Sequence, residues 1–293
     1  MVSITEPSIL RSARFTALSA ALLPLTGAAC AGSTFSRMNI GGDRVSAVFE
    51  ELWQQMIADA PERFWRQLGY GVVAFVSEIP APSMNGVFVF RNDVDVHQVR
   101  TLLMEVSRAN VPFCLQARPA LRGALAGVAD ELGMVPDEDV PLMVLEDPTP
   151  LRSAAQLDGL TVRLLAEGEQ AVHEDLLAAG FEIPSEMART ITRFMGAVPG
   201  LREFVGEVAG TGVTTAVTLP SSDASFGVFN VATPPEQRRH GYGAAVTASA
   251  ALYGLDRGAT FAWLQSSVAG FLVYQRLGFQ VVESWPVWVT PSK

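Results

Sequence analysis

Leu132 and Leu277 lie 145 positions apart, and so do Pro141 and Pro286. Each leucine opens a Leu-Gly turn (Leu132-Gly133-Met134, Leu277-Gly278-Phe279), and each proline opens an apolar run (Pro141-Leu142-Met143-Val144, Pro286-Val287-Trp288-Val289). Upstream, Leu115-Gln116 is echoed by Leu264-Gln265, and Val87-Phe88-Val89-Phe90 by Val228-Phe229-Asn230-Val231. Four matches in the same order mean two copies of one α/β fold, and this internal duplication restricts the architecture more than any single motif. A chain of 293 residues, 49% hydrophobic and 17% charged, has enough apolar material for two domains of ordinary size. Asp147-Pro148-Thr149-Pro150 marks the joint, because proline fixes φ and removes a backbone donor. The expected organisation is an N-terminal arm over residues 1–40, a first copy over 41–150 and a second over 158–293.

The balance of charge removes some classes of function. The formal net charge is -9, and no run of Lys or Arg appears, so a nucleic-acid-binding face is not expected. Lys293 is the only lysine; almost every cation is arginine, a bias expected of a GC-rich bacterial genome. Cys30 and Cys114 are too few and too far apart for a disulfide framework and read as free thiols. His97, His173 and His240 have no second ligand at zinc spacing, so no metal is expected. At the N-terminus two readings stand. Arg11 and Arg14 precede an apolar stretch from Phe15 to Leu25, and Ala29-Cys30-Ala31 follows, as in an export signal; alternatively, the segment is a helical arm packed on the first copy. No other apolar stretch is long enough to span a membrane.

The second copy reads as strand 160–165, helix 167–179 ended by Gly180, and a helix capped by Ser185 and broken at Gly196 and Pro199. Strands follow at 204–208, 213–219 and 226–232. A glycine turn at Gly241 to Gly243 opens a helix to about Tyr253; strand 260–264, helix 269–276 and a strand region 279–289 complete it. This order fits a mixed α/β sheet with helices on both faces.

Arg238-Arg239-His240-Gly241-Tyr242-Gly243 carries the chemistry. It stands between a strand and a helix. A helix N-terminus presents unpaired N–H groups and a favourable dipole to an anion, and glycines let backbone approach it closely. Arginines add charge-assisted hydrogen bonds. The segment is no Walker loop, and Val246 stands where a dinucleotide fingerprint needs its third glycine. On spacing alone, a diphosphate cradle and a plain glycine turn into a core helix both remain open.

The stretch Val231 to Gly243 resembles motif A (R/Q-x-x-G-x-G/A) of the GNAT acetyltransferase superfamily. Leu264-Gln265-Ser266-Ser267 followed by Val273-Tyr274-Gln275-Arg276-Leu277-Gly278-Phe279 resembles its motif B. The resemblance covers residues 160–293 well and the first half in outline, so the whole looks like a tandem GNAT protein, two α/β mixed-sheet acyl-CoA N-acyltransferase folds. It implies acetyl-CoA as co-substrate and no metal. Val231, Ala232 and Thr233 would lie beside the pantetheine arm. Arg238, with the amides of Arg239, His240, Gly241, Tyr242, Gly243 and Ala244, would hold the pyrophosphate. Ser267 would contact the arm, and Tyr274 would protonate the departing thiolate as general acid. Direct attack by an amine is implied, with the oxyanion held by a strand N–H. The departure is the base: strand Phe226 to Asn230 has no acid, which leaves Glu207, Glu182 or a water relay. A small-molecule or protein amine is the expected acceptor, the cytoplasm the expected location, and a pseudo-dimeric monomer or a homodimer the expected state. A non-catalytic acyl-CoA sensor and an alcohol or thiol acceptor are the rival readings. The first copy has Asn92-Asp93-Val94-Asp95-Val96-His97 in place of the cradle and Ala129 in place of Tyr274, and is expected to bind no CoA.

Overall fold

The first copy supplies α1 (Gly42–Ala58), β1 (Trp65–Gly69), β2 (Val72–Val76), β3 (Asn85–Val89), α2 (Val96–Ser107), β4 (Cys114–Ala117), α3 (Arg122–Glu131), β5 (Val135–Pro136) and β6 (Val140–Leu145). Helix α4 (Thr149–Ala154) spans the proline-rich joint. The second copy supplies β7 (Thr161–Leu164), α5 (Gln170–Phe181), α6 (Ser185–Gly196), β8 (Arg202–Val208), β9 (Thr211–Pro220), β10 (Ser225–Ala232), α7 (Tyr242–Leu255), β11 (Phe261–Gln265), α8 (Val268–Arg276), β12 (Gln280–Trp285) and β13 (Val287–Val289). These elements come from a computed structural model that describes residues 40–291 apart from 59, 61–63 and 78. Residues 1–39, with Cys30 and both readings of the N-terminal arm, lie outside the described residues, as does Lys293.

The strands form two mixed sheets, ordered β1-β2-β3-β4-β13-β5 and β12-β6-β11-β10-β9-β8-β7. Each holds one parallel pair, β3 with β4 and β10 with β11. The repeated residues fall on matching elements: Val87 to Val89 on β3 and Val228 to Val231 on β10, Leu115-Gln116 on β4 and Leu264-Gln265 on β11. The Leu-Gly turns follow α3 and α8.

The last strands are exchanged. β6 lies antiparallel between β11 and β12, and β13 lies antiparallel between β4 and β5. The expected strand region 279–289 is therefore two strands in different sheets. They part at Pro286, whose carbonyl accepts from Ala117 N at 3.2 Å while its missing N–H interrupts the β12 ladder. Helix α1 buries Val45, Val48, Phe49, Leu52 and Met56 in an apolar layer shared by both sheets. The Phe49 ring meets Phe90 at 5.4 Å, Trp263 at 5.3 Å and Trp285 at 5.8 Å. Such edge and tilted pairs add about 0.5–1.5 kcal/mol each beyond the area they bury, so residues from both copies hold one core.

Two helix boundaries differ from the sequence reading. Helix α5 runs through Gly180 to Phe181, and Glu182 takes the left-handed position that ends it (φ 55°). Ser185 is the first helical residue of α6 and caps nothing with its side chain; Pro184 precedes it, and the Pro184 carbonyl accepts from Met187 N and Ala188 N. Among the described residues no helix is long and apolar enough to cross a membrane.

Candidate functional site

Strand β10 builds the site by leaving its neighbour. It pairs with β11 only from Ser225 to Gly227, opposite Phe261 to Trp263, yet continues to Ala232. On the other side its register with β9 slips by one residue between Phe229 and Ala232, a bulge in which Asn230 has φ 49°. Asparagine tolerates that conformation better than most residues, and a bulge bends and twists the strand that carries it. The result is a V-shaped opening at the carboxyl ends of a parallel pair, where ligands enter open α/β sheets.

The β10–α7 loop follows directly on the splayed end of β10. Arg239 (φ 66°) and Gly241 (φ 84°) both take the left-handed backbone region, the turn geometry from which anion-binding backbone nests are built. Gly241 is the N-cap of α7 and offers no side chain to the helix. The N–H groups of Arg239, His240, Gly241, Tyr242, Gly243 and Ala244 donate no hydrogen bond among the described residues, and the loop from Arg238 to Gly241 is exposed. The Thr233 and Thr214 hydroxyls meet at 2.8 Å, and Thr214 also donates to the Ala232 carbonyl at 3.0 Å, which pins the end of β10 to β9. His240 and Tyr242 stack at 5.3 Å beside the cradle.

Arg238, which the resemblance assigns to the pyrophosphate, is held by local partners. Its guanidinium donates to the Thr233 carbonyl at 3.2 Å, the Gly180 carbonyl at 2.9 Å and the Glu182 carboxylate at 3.0 Å. It braces the loop against the end of α5. Arg239 is exposed and forms no ion pair among the described residues, so its charge is free to meet an anion.

Motif B folds as α8. The Ser267 hydroxyl accepts from Gly270 N at 3.2 Å and so caps this helix. Tyr274 is nearly buried, with its ring edge-on to Phe279 at 6.2 Å. Burial pushes its phenol up to about 12. Its ring folds back over Gly270, one turn earlier, as long helical side chains do. A Cβ on Gly270 would lie 2.6 Å from Tyr274 Cε2 and 3.2 Å from its hydroxyl. Gly270 is therefore part of the tyrosine's seat. The i, i+4 spacing of the two residues is the signal the sequence carries for this contact.

The two candidate bases are both engaged. Glu207 pairs with Arg163 at 2.7 Å, and Glu182 with Arg238 at 3.0 Å. His173 is fully buried on α5. Its Nδ1 lies 2.6 Å from Thr215 Oγ1, and that hydroxyl donates to the Phe204 carbonyl at 2.8 Å, so the imidazole N–H is the donor to Thr215. Burial lowers His173 to about 4, from an ordinary value of 6.5. The unfolded chain takes a proton near pH 6.5 that the folded chain refuses until about pH 4. Stability is therefore expected to fall as pH drops through that window, by about 3 kcal/mol. Urea midpoints at pH 7 and pH 4.5 check this, and His173→Gln should flatten the pH dependence although it lowers stability at pH 7.

In the first copy the corresponding helix start is closed. The Asp95 side chain accepts from His97 N at 2.9 Å and caps α2, taking the place an anion would need. Ala129, where the second copy has Tyr274, is fully buried in α3.

No family model matches the sequence, and none of the curated proteins matches it. Solved structures do. A GCN5-related N-acetyltransferase from Kribbella flavida has a TM-score of 0.64 at 20% identity, covering 87% of this chain and 97% of that one. A GCN5-related N-acetyltransferase from Sphaerobacter thermophilus has a TM-score of 0.56 at 16% identity, covering 78% and 83%. A tandem GNAT protein from the clavulanic acid biosynthesis pathway has a TM-score of 0.52 at 13% identity, covering 87% and 98%. This chain has the fold of the GCN5-related N-acetyltransferases, in its tandem, two-copy form.

Proposed function

We propose that the second copy binds an acyl-CoA, with acetyl-CoA the first choice, and transfers the acyl group directly to an amine. The observation that carries this reading is the run of unpaired N–H groups from Arg239 to Ala244, at the start of α7 and beside the splayed end of β10. Charge-assisted hydrogen bonds from such groups suit a pyrophosphate. Arg239 adds a cation, Arg238 fixes the loop, and the β10 backbone from Val231 to Thr233 lies where an extended pantetheine arm would run. When bound, the thioester supplies an activated acyl group.

The chain's own residues then bind, orient and move protons. The β10 edge that β11 no longer covers offers N–H groups to a developing oxyanion. Tyr274 holds its proton at neutral pH and gives it to the departing sulfur. A water relay deprotonates the acceptor, since Glu182 and Glu207 are ion-paired. The first copy binds no CoA and completes the core through the exchanged strand β6, as a second subunit would in a dimer of single domains. Acyl-CoA places the activity in the cytoplasm of a bacterial cell.

The test is calorimetric titration with acetyl-CoA and CoA, followed by a thiol-release screen against small amines and amine-bearing peptides. Micromolar binding with thiol release by some amines supports the reading, and absence of binding overturns it. One observation favours a second reading, a non-catalytic acyl-CoA sensor: neither candidate carboxylate is free to act as base. Binding without thiol release for any amine, alcohol or thiol acceptor would select the sensor.

A further inference from the structure

The first copy keeps the position of the second copy's cradle and inverts its charge. Strands β3 and β4 run parallel and end beside the loop that leads into α2, just as β10 and β11 do beside the loop into α7. At that place an open cavity of about 270 Å³ is lined by, among others, Asp43, Glu50, Tyr70, Arg91, Asp93 and Arg118. Three of these are carboxylates and two are guanidiniums, and both guanidiniums are already matched. Arg91 Nε lies 2.8 Å from Glu50 Oε2. Arg118 binds the Glu283 carboxylate and lies 2.5 Å from Asp43.

Arg118 is shared by Glu283 and Asp43, and Asp93 is the lining carboxylate that no guanidinium pairs with among the described residues. Its carboxylate accepts from the Tyr70 hydroxyl at 3.3 Å and forms no ion pair among the described residues. The Arg91 guanidinium sits over the Tyr70 ring at 4.5 Å, and Tyr70 is 60% exposed, so part of the ring remains open. An anion is disfavoured here: Asp93 repels it, and Asp95 already caps α2. A cation finds an unmatched carboxylate beside an aromatic surface, the pairing that recognises ammonium groups. The cavity, about 270 Å³ and open to solvent, has room for a small molecule.

We propose that this cavity is a second ligand site, taking a small organic ammonium ion with its charge on Asp93 and its carbon stem against Tyr70. The site is independent of acyl-CoA binding in the second copy.

The test uses the full chain and n-butylammonium chloride as probe, observed by saturation-transfer NMR at pH 7 and low ionic strength, with sodium butyrate and 1-butanol as controls. Saturable binding of butylammonium alone is expected. Asp93→Asn and Tyr70→Ala should each weaken it about five- to tenfold, the worth of one partly exposed charge or cation–π contact. Both residues are exposed, so the variants should melt as the wild type does. Acetyl-CoA titration of Asp93→Asn should match the wild type, which separates this result from any failure of the acyl-CoA reading. The proposal is overturned by no saturation transfer from butylammonium, by butyrate or butanol binding as tightly, or by undiminished binding to a correctly folded Asp93→Asn variant.

Discussion

Replacing Gly241 with valine is expected to remove acetyl-CoA binding, with a loss of affinity of at least about a hundredfold, equivalent to about 2.7 kcal/mol. Two effects combine. Gly241 has φ 84°, a conformation that a β-branched residue enters only with strain of about 1–3 kcal/mol. Relieving that strain turns the Gly241 and Tyr242 N–H groups away from the common focus they share with Gly243 and Ala244. The added side chain would also face Leu157, since even a Cβ here lies 3.4 Å from Leu157 Cδ2. Calorimetry with acetyl-CoA measures the loss, and a thermal melt without ligand separates it from unfolding. Arg238→Ala should behave differently. The Arg238 guanidinium is spent on Thr233, Gly180 and Glu182, so its removal should loosen the loop and lower stability while costing less affinity than Gly241→Val. An Arg238→Ala variant as weak as Gly241→Val would show instead that this guanidinium turns onto the phosphate when the ligand arrives.

That contrast also shows which parts of the site were legible in the sequence. A glycine at a helix start after a strand is a local signal: the left-handed turn, the free N–H groups and the helix dipole all follow from a few adjacent residues. Gly241 and Gly243 stand out in the sequence for that reason. Two of the three partners of Arg238, Gly180 and Glu182, are 58 and 56 residues away at the end of α5, and nothing in the spacing of the motif points to them. Ser267 was read as a ligand contact, but its side-chain oxygen caps α8; Ser-x-x-Gly before an apolar helix carries either meaning.

The fold divides in the same way. The duplication was legible because turns and strand patterns recur at one spacing. The exchange of β6 and β13 was not, because alternation along a strand says which face is buried and not which strand lies alongside. Val140-Pro141-Leu142-Met143-Val144 and Trp285-Pro286-Val287-Trp288-Val289 have the same character, and either could complete either sheet. Non-local packing of the shared aromatic layer around Phe49, with Trp263 and Trp285, decides between them.

Tyr274→Phe is expected to lower kcat about a hundredfold, the lower end of what a positioned proton donor contributes, while leaving acetyl-CoA affinity unchanged. The hydroxyl is the only atom removed, so a purely structural tyrosine would show little change in turnover. The pH profile gives a second readout. Burial holds the phenol up to about 12, so the wild-type rate should show no loss from this group across neutral pH. Only as pH rises toward that value should the rate fall, as the acid loses its proton. Gly270→Ala tests the seat of the ring. The new Cβ would stand 2.6 Å from Tyr274 Cε2 and 3.1 Å from Cζ, so the ring must swing away from the start of α8. Turnover should then drop with acetyl-CoA affinity retained, as in Tyr274→Phe. If Gly270 acts only through the tyrosine, adding Gly270→Ala to Tyr274→Phe should cost little further activity, because the hydroxyl it misplaces is already gone. Fully additive losses would assign Gly270 to the backbone of the site rather than to the tyrosine, and would remove the geometric basis for Tyr274 as the proton donor.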